Sequence, residues 1–259
     1  MPCKLQARFC LGSRAGADCE MRNVICMKWG TRYGPEYVNR LRSMVRRHLS
    51  YEHRFVCFTD RPEGIDADVE TLPLPKLDLP DGAPERGWNK LTMFPETLHD
   101  LAGDTLFLDL DVVILDSLNP FFDAEGAFLI IKDWKYPRRI TGNSSVFRFR
   151  PGAHPYVLDY FLNNLEEVRA NFRNEQAYLS DQIHKNSTLS YWPAEWCCSY
   201  KYHCLPKAPL NYFLKPKFPS GTRIAIFHGN PKLQEALEGT SLWVRRYSRP
   251  AKWVEENWR

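Results

Sequence analysis

The stretch Thr105-Leu-Phe-Leu-Asp-Leu-Asp111, followed at once by Val112-Val-Ile-Leu115, decides how the rest of this 259-residue sequence is interpreted. A short apolar run that ends in polar residues is typical of a buried β-strand. Unpaired carboxylates are costly to bury, and α/β sheets bind ligands at the carboxyl ends of their strands. The stretch therefore predicts that Asp109 and Asp111 meet a cationic ligand. Two carboxylates one residue apart can share a hard divalent ion that neutralises a diphosphate; the alternative is two solvated aspartates at a turn.

The segments before this stretch predict a parallel α/β sheet. Residues 23–29 are an apolar run typical of a buried strand, and Pro35 suits the first turn of a helix. The apolar residues of this helix keep helical spacing, namely Val38, Leu41, Val45 and Leu49. A second strand is predicted over 55–59, and strand–helix–strand is the beginning of a parallel sheet. Five prolines between 61 and 88 predict a long surface excursion.

The segments after it extend the sheet. Apolar runs predict further strands over 127–131, 144–149 and 223–227, and helical patterns cover 90–101, 155–172 and 175–185. The predicted fold class is α/β, with one Rossmann-like domain whose mixed, mostly parallel central sheet is flanked by helices. The predicted organisation is a flexible extension over 1–22, the domain over 23–240, and a basic and aromatic tail over 241–259.

Composition excludes several classes of protein. With 44% hydrophobic residues and 25% charged residues, the chain is neither disordered nor a coiled coil. A net charge of +4 does not call for a polyanion, so no nucleic-acid partner is predicted. No apolar run is long enough to span a bilayer or serve as a secretion signal, so we expect a cytoplasmic protein with reduced thiols. The cluster Cys197, Cys198, His203 and Cys204 lacks the paired knuckles of a structural zinc site.

Several further segments, in their order along the chain, give the sequence a family resemblance. They are Val24 to Tyr33, Trp88-Asn-Lys90, Leu106-Phe-Leu-Asp-Leu-Asp111, Thr141-Gly-Asn-Ser-Ser-Val146, Asp181-Gln182 and Phe227-His-Gly-Asn-Pro-Lys232. Over about residues 23 to 235 the chain resembles the GT-A glycosyltransferases, and most closely glycosyltransferase family 8, the group of glycogenin and the bacterial lipopolysaccharide galactosyltransferases. The resemblance implies a GT-A domain and a metal-dependent enzyme. That enzyme moves a sugar from a nucleotide-diphosphate sugar to a hydroxyl acceptor with retention of configuration.

The resemblance also implies a metal site. Asp109 and Asp111 would bind Mn²⁺ or Mg²⁺ across the two phosphates of the donor, and His228 would be the third protein ligand. Gly229 would let the backbone approach the phosphates, and Lys232 would offset their charge as the bond to the sugar breaks. The family's segment reads His-x-x-Gly and ends in Lys-Pro-Trp. Here Gly229 directly follows His228, and Leu233 and Gln234 follow Lys232.

Donor contacts follow from the same resemblance. Lys90 would offset phosphate charge from the other side of the site, and for it a solvated helix-end charge is the competing interpretation. The remaining candidates fall into two groups by the part of the donor that they would contact. The nucleotide pocket would be lined by Trp29, Thr31, Tyr33 and Asp60, and the donor sugar would be contacted by Asn143, Ser144, Asp181 and Gln182. Of these, Asp181, Gln182 and Lys232 are the candidate catalytic residues.

Two other functions remain open at this stage. Asp-x-Asp after an apolar strand also opens the pattern of the haloacid dehalogenase-like phosphatases, in which Asp109 would be the nucleophile and Asp111 the acid. No downstream GDxxxD pair completes that pattern. The altered segment after His228 suits a third possibility, a non-catalytic nucleotide-sugar-binding protein on a degenerate GT-A scaffold.

The acceptor and the membrane are predicted only in outline. The acceptor is an unidentified hydroxyl compound, with a glycan or a lipid-linked sugar as the options. The tail combines Trp243, Trp253 and Trp258 with Arg245, Arg246, Arg249 and Lys252, a composition typical of a segment that contacts anionic lipid at the inner face of a membrane. Docking of the tail on the domain explains the same composition equally well.

Overall fold

The protein is described from a computed structural model that covers residues 21–77, 87–241 and 246–259. The strands are β1 (Arg22–Lys28), β2 (Arg54–Thr59), β3 (Glu70–Pro73), β4 (Asp104–Leu108), β5 (Val112–Ile114), β6 (Phe128–Lys132), β7 (Gly142–Phe149), β8 (Leu189–Tyr191), β9 (Cys197–Ser199) and β10 (Ile224–Ile226). The α-helices are α1 (Pro35–His48), α2 (Asn119–Asp123), α3 (Tyr156–Asn163), α4 (Leu165–Asn171), α5 (Glu175–Asn186), α6 (Leu233–Glu238) and α7 (Lys252–Asn257).

A seven-stranded sheet in the order β3-β2-β1-β4-β7-β6-β8 forms the centre of the fold. The four strands β3, β2, β1 and β4 are parallel to one another, whereas β7 is antiparallel to both β4 and β6. Helices and loops bury both faces, so that every residue of β7 is buried and β1 is buried from its second residue onward. The predicted mixed, mostly parallel sheet flanked by helices is therefore confirmed.

A second, three-stranded sheet holds the end of the chain beside the central sheet. Its order is β5-β10-β9, with β10 antiparallel to β5 and parallel to β9. Ile226 pairs with Val112, and the amide of Phe227 donates a hydrogen bond to the carbonyl of Asp111 at 3.0 Å. This pairing places the segment after β10, which begins with His228, directly beside the predicted aspartate pair.

The structure corrects three of the predicted elements. The helix predicted over 90–101 is only a 3₁₀ turn over Trp88–Met93, and Pro95 follows it within two residues. The helix predicted over 155–172 is interrupted at Asn164, which leaves the helical backbone region and separates α3 from α4. The proline-rich excursion contains β3, an edge strand that ends at Pro73, where a missing amide breaks no internal pairing.

The ends of the chain differ from the predicted boundaries. Most of the predicted extension lies outside the described residues, and β1 begins at Arg22, one residue earlier than expected. Within the tail, Trp243 lies outside them too, whereas Trp258 is buried and stacks edge-on against Tyr37 of α1. The end of the tail therefore packs on the domain. No helix in the described part of the chain has the length and apolar character needed to cross a bilayer.

Candidate active site

The candidate site lies where the strand order reverses. In the sheet, β2 and β3 lie on one side of β1, and the next strand of the chain, β4, lies on the other side of β1. The loops that follow two neighbouring parallel strands diverge at such a switch point and leave a crevice that binds ligands. Trp29 follows β1 and Asp109 follows β4, so these two loops form the walls of the crevice.

One cavity, which we call the β1-side cavity, occupies this crevice with a volume of about 480 Å³. Its lining combines the loop after β1, the aspartate pair and the segment after β10. The lining residues are Met27, Trp29, Gly30, Thr31, Arg32, Tyr33, Gly87, Lys90, Asp109, Leu110, Asp111, His228 and Gly229. Segments that lie about two hundred residues apart in the sequence thus line one cavity.

Lys90 and Asp109 form an ion pair at the floor of the cavity. The Lys90 Nζ lies 2.8 Å from one Asp109 oxygen and 2.9 Å from the other, and it also donates to the Ser144 carbonyl at 3.1 Å. Although burial opposes the charged ammonium, Asp109 and then Glu175 raise the pKa of Lys90 above its usual value. Lys90 is therefore a buried cation held by the site's own carboxylates, not a solvated charge at a helix end.

Asp111 lines the same cavity, where its surroundings disfavour the ionised carboxylate. Burial, and then the charge of Asp109, raise its pKa to about 6. The Tyr33 hydroxyl donates a hydrogen bond to Asp111 Oδ2 at 2.9 Å. Burial and the Asp111 charge raise the pKa of Tyr33, so the phenol stays protonated and remains a donor. This bond fixes one face of the Asp111 carboxylate against the loop after β1.

His228 faces the same cavity as a neutral imidazole. Burial lowers its pKa to about 4, and the nearby cations Lys201 and Arg246 act in the same direction. Its Nε2 shares a hydrogen bond with the Ser199 hydroxyl at 2.8 Å, and its ring stacks on Trp134 at 5.3 Å between centroids. The ring is thus held in place by a strand residue on one side and an aromatic face on the other.

A second cavity, the β7-side cavity, lies on the other side of Lys90, Asp109 and His228, which line both. Its volume is about 440 Å³. The other lining residues come mainly from the loop after β6, the beginning of β7, the beginning of α5 and the turn after β9. They are Asp133, Trp134, Lys135, Tyr136, Arg139, Thr141, Asn143, Ser144, Ser145, Arg173, Asn174, Glu175, Gln176, Ala177, Lys201 and Tyr202. Two adjoining cavities that share charged residues can bind two reactants, or two portions of one substrate, next to each other.

The first turn of α5 supplies an acid and an amide that the sequence analysis did not single out. The Asn174 side chain caps the helix by accepting from the Ala177 amide at 3.3 Å, which directs the residues after it toward β7. Glu175 accepts a hydrogen bond from the Ser144 hydroxyl at 2.6 Å. The Gln176 amide group reaches Asp133 at 3.4 Å and Asn143 at 3.5 Å.

Burial raises the pKa of Glu175, and Lys90 opposes that rise. This carboxylate therefore belongs to the same electrostatic unit as the Lys90–Asp109 pair. An asparagine followed by an acid and an amide at a helix start was the available sequence signal, because asparagine is a favoured N-cap.

The outer side of the β7-side cavity is cationic. Lys135, Arg139, Arg173 and Lys201 all line it. Hydrogen bonding and charge from Lys135, with Arg173 and Arg139 acting in the same direction, lower the pKa of Tyr136 there. Burial, Arg246 and Lys135 lower the pKa of Lys201. A positive field of this kind suits negatively charged groups on a substrate.

Four of the predicted site residues do not line either cavity. Asp60 accepts from the Gly30 amide at 3.1 and 3.2 Å, so it orders the loop after β1 from outside. Asp181 pairs with Lys185 at 2.8 Å, and Gln182 reaches Asp181, more than a turn beyond Gln176 on α5. Lys232 is exposed, and its amide donates to Glu235 at the start of α6.

The structure places another lysine where Lys232 was expected. Lys201 is carried by a single π-helical turn, Tyr200–Cys204, which follows β9. Its Nζ lies so close to Gly229 that a Cβ added to the glycine would be 2.9 Å away. Gly229 itself has a φ of +82°, a backbone region that glycine adopts most readily. The cation beside the segment after β10 is therefore Lys201.

The two aspartates suit a divalent cation, but the predicted set of three protein ligands is not assembled in the described structure. Burial and the neighbouring charge of Asp109 make the ionised form of Asp111 costly, and a divalent ion would relieve that cost. A neutral imidazole such as His228 is also a suitable ligand. However, across residues 21–77, 87–241 and 246–259, no three His, Cys, Asp or Glu side chains are grouped as a metal site. Ser199 engages the ring nitrogen of His228 instead.

The fold is similar to that of solved glycosyltransferase structures. The galactosyltransferase LgtC in complex with donor and acceptor sugar analogues matches with a TM-score of 0.60 and 14% identity, over 90% of this chain and 94% of that one. An active-site mutant of LgtC matches with a TM-score of 0.60 and 13% identity, over 90% and 94%. The apo form of the glycosyltransferase GlyE from Streptococcus pneumoniae TIGR4 matches with a TM-score of 0.58 and 11% identity, over 92% of this chain and 59% of that one.

These likenesses confirm the fold that the sequence predicts. The chain has a GT-A fold, and the predicted resemblance to the GT-A glycosyltransferases, which include the family 8 enzyme LgtC, is confirmed at the level of the fold. This chain spans about three fifths of the length of GlyE. No protein-family model matches the sequence, and no curated protein matches it.

Proposed function

We propose that this protein is a metal-dependent glycosyltransferase that transfers a sugar from a nucleotide-diphosphate sugar to a hydroxyl group of an acceptor, with retention of configuration. The observation that carries the proposal is the meeting of two cavities at Lys90, Asp109 and His228, at the switch point of a GT-A fold. The β1-side cavity would hold the nucleotide and the diphosphate. The β7-side cavity would hold the sugar and the acceptor.

In this mechanism the chain's own residues bind and orient the donor. Trp29 and Thr31 border the nucleotide, and Tyr33 keeps the Asp111 carboxylate turned toward the diphosphate through its 2.9 Å hydrogen bond. Lys90 holds Asp109 in place from below. A divalent cation bound by the two aspartates would neutralise the diphosphate as it leaves. The bond between the sugar and the diphosphate breaks as the acceptor oxygen bonds to the sugar, and the proton of the acceptor hydroxyl passes to the departing diphosphate.

On the sugar side, the polar groups of β7 and α5 would define the reacting geometry. Asn143 and Ser144 would contact the sugar, and the Gln176 amide, which Asn143 and Asp133 orient, would lie at the reacting face. Lys201, beside Gly229, would offset the charge of the leaving diphosphate. The phosphatase alternative needs a downstream GDxxxD pair, and the sequence after Asp111 contains none.

Binding of a nucleoside diphosphate with a metal is the direct test. We expect one of UDP, GDP, CDP or ADP to stabilise the protein in the presence of Mn²⁺ and to lose that effect when a chelator is added. At about 100 times its dissociation constant a ligand adds about 2.7 kcal/mol, which raises Tm by about 5–10 °C for a chain of this length. Thermal denaturation with each nucleotide, with Mn²⁺ and with chelator, measures the effect.

The other outcomes of this test each change the conclusion. No shift with any nucleotide would contradict the proposal, and a shift that survives chelation would contradict its metal dependence. Stabilisation by a nucleotide without hydrolysis or transfer of the matching nucleotide-sugar would support the non-catalytic, degenerate scaffold. Retention is checked by the anomeric configuration of the product.

Variants of two glutamines on α5 test which of them lies at the reacting face: Gln176, as the structure indicates, or Gln182, as the sequence indicates. We expect Gln176→Ala to lower kcat by about tenfold to a hundredfold, because misplacing a reacting group by about 1 Å can cost a factor of a hundred. Gln182→Ala should leave kcat within about twofold, because Gln182 reaches Asp181 and lines neither cavity. Steady-state kinetics of both variants, with Tm as the measure of folding, decide between them. Loss of activity in Gln182→Ala alone would restore the sequence-based assignment.

A further inference from the structure

The segment between the π-helical turn and β10 carries an unusual concentration of exposed apolar side chains. Ten large apolar side chains are exposed among the described residues, and five of them belong to the nine-residue stretch 210–218 of this segment. Their exposed fractions are 54% for Leu210, 43% for Tyr212, 72% for Phe213, 51% for Leu214 and 39% for Phe218. Scattered single apolar residues are normal at a surface, whereas a contiguous group marks an interaction site. We call residues 207–218 the apolar loop.

The backbone of the apolar loop is anchored, so its side chains are presented outward by a fixed scaffold. The C-terminal tail provides most of the anchors. Arg249 donates to the Phe213 carbonyl at 2.7 Å, and the Trp253 indole donates to the Pro216 carbonyl at 3.1 Å. Tyr212 stacks on Tyr247 with 4.8 Å between ring centroids. Exposure at Phe213 and Leu214 is therefore a property of the folded protein.

The charged residues within the apolar loop are of one sign. Lys207, Lys215 and Lys217 are exposed, and none of them forms an ion pair in the described structure. The sequence contains no aspartate or glutamate between Glu195 and Glu235. Exposed aromatic and aliphatic side chains interleaved with lysines, without acids, are the composition that binds at the interface of an anionic membrane.

We propose that the apolar loop docks the protein on a bilayer surface that contains anionic lipid, with Phe213 and Leu214 inserted among the headgroups and the lysines held above them. A second copy of the chain is a poorer occupant, because two such surfaces would bring lysines together without an acid to pair them. Each lysine near an anionic surface adds electrostatic attraction, and each inserted apolar side chain adds its hydrophobic transfer energy.

This surface differs from the one that composition suggested. The sequence pointed to the tryptophans of the tail, but Trp258 is buried against α1, and Trp253 packs against Phe218 at 5.1 Å between centroids. Trp253 therefore supports the apolar loop from behind, while Trp243 lies outside the described residues. The loop begins a few residues after Tyr202, which lines the β7-side cavity, so docking would bring that cavity near the membrane surface.

Vesicle sedimentation with the full chain tests the proposal without nucleotide or acceptor, so its outcome is independent of the proposed enzymatic function. We expect the protein to sediment with vesicles in which about a third of the phosphatidylcholine is replaced by phosphatidylglycerol, and to be released as salt is raised, because surface charge is screened. Phe213→Ser combined with Leu214→Ser should weaken the partition coefficient by at least about tenfold. Lys215→Gln combined with Lys217→Gln should remove the preference for anionic vesicles.

Tyr160→Ser combined with Leu162→Ser is the matched control, since these residues on α3 are 40% and 54% exposed and have no neighbouring lysines in sequence. This control should sediment like the unaltered protein, and the Tm of every variant should lie within a few degrees of the Tm of the unaltered protein. Absence of binding to anionic vesicles would overturn the proposal, as would equal loss in the control. Concentration-dependent association abolished by the Phe213 and Leu214 changes, without vesicle binding, would assign the loop to self-association instead.

Discussion

Asp111→Asn is expected to reduce kcat/KM for sugar transfer by about a thousandfold, which corresponds to about 4 kcal/mol of transition-state stabilisation. Asparagine has the same shape as aspartate and can still accept the hydrogen bond that Tyr33 donates at 2.9 Å, so the wall of the β1-side cavity should be preserved. What is lost is a negative charge beside Asp109 and therefore a ligand for the proposed divalent cation. Steady-state kinetics with the nucleotide-sugar identified by thermal denaturation measure the effect.

The same variant should lose the metal-dependent part of the nucleotide's stabilisation while its own Tm is unchanged or higher. Burial and the charge of Asp109 raise the pKa of Asp111 to about 6, which means that the charged form costs folding free energy. Asp123→Asn is a matched control, because the Tyr51 hydroxyl donates to Asp123 at 2.8 Å on the surface, in the same kind of pair. Equal turnover in the Asp111 variant and the control would refute the metal role.

Much of the fold was predictable because apolar periodicity specifies it. The spacing of Val38, Leu41 and Val45 matches the buried face of α1, and the apolar runs around it match β1 and β2. The edge strand β3 was not predictable in the same way, because its residues alternate between half-buried and exposed and it lies in a proline-rich segment. This segment is a strand because it pairs with β2, and that tertiary contact leaves no local pattern in the sequence.

The site residues that follow a strand could be predicted from the sequence. Those on a helix could not, because the sequence does not show which side of the helix faces the cavity. Asp109 and Asp111 could be found because they terminate a buried strand. On α5, two acid–amide pairs lie six residues apart, and composition does not distinguish them. Packing does so, because the Asn174 cap and the Ser144 contact turn Glu175 toward the cavity while Asp181 pairs with Lys185. Lys201 comes from an isolated π-helical turn that has no periodic signal.

Lys90→Met is expected to lower the free energy of unfolding at neutral pH by about 3–5 kcal/mol, because it leaves buried carboxylates without their cation. The Lys90 ammonium contacts both oxygens of Asp109, and its charge opposes the rise in the pKa of Glu175 and of Asp111. Methionine fills a similar volume, so packing at this residue, which is 6% exposed, is largely retained. Chemical denaturation of the variant and the unaltered protein measures the difference.

The pH dependence distinguishes this electrostatic cause from a packing defect. An acid whose folded pKa lies above its unfolded value binds extra protons when folded, so stability falls as pH rises through that window. For Asp111 the window runs from its ordinary value of 3.8 to about 6, and removal of Lys90 extends it upward for Asp111 and Glu175. The Lys90 charge is constant there, since its pKa lies above 10.5. The deficit of the variant should therefore shrink as the pH is lowered from about 7.5 to about 5.

Two further variants complete the argument. Lys185→Met removes a lysine that is 62% exposed and pairs with Asp181 at 2.8 Å, and it should cost less than about 0.5 kcal/mol at any pH in this range. Glu175→Gln in the Lys90→Met background removes one of the carboxylates left without a cation and should recover part of the lost stability, because the charges of Lys90 and Glu175 interact. A deficit that neither shrinks with acid nor responds to Glu175→Gln would show that Lys90 is needed for its shape rather than for its charge.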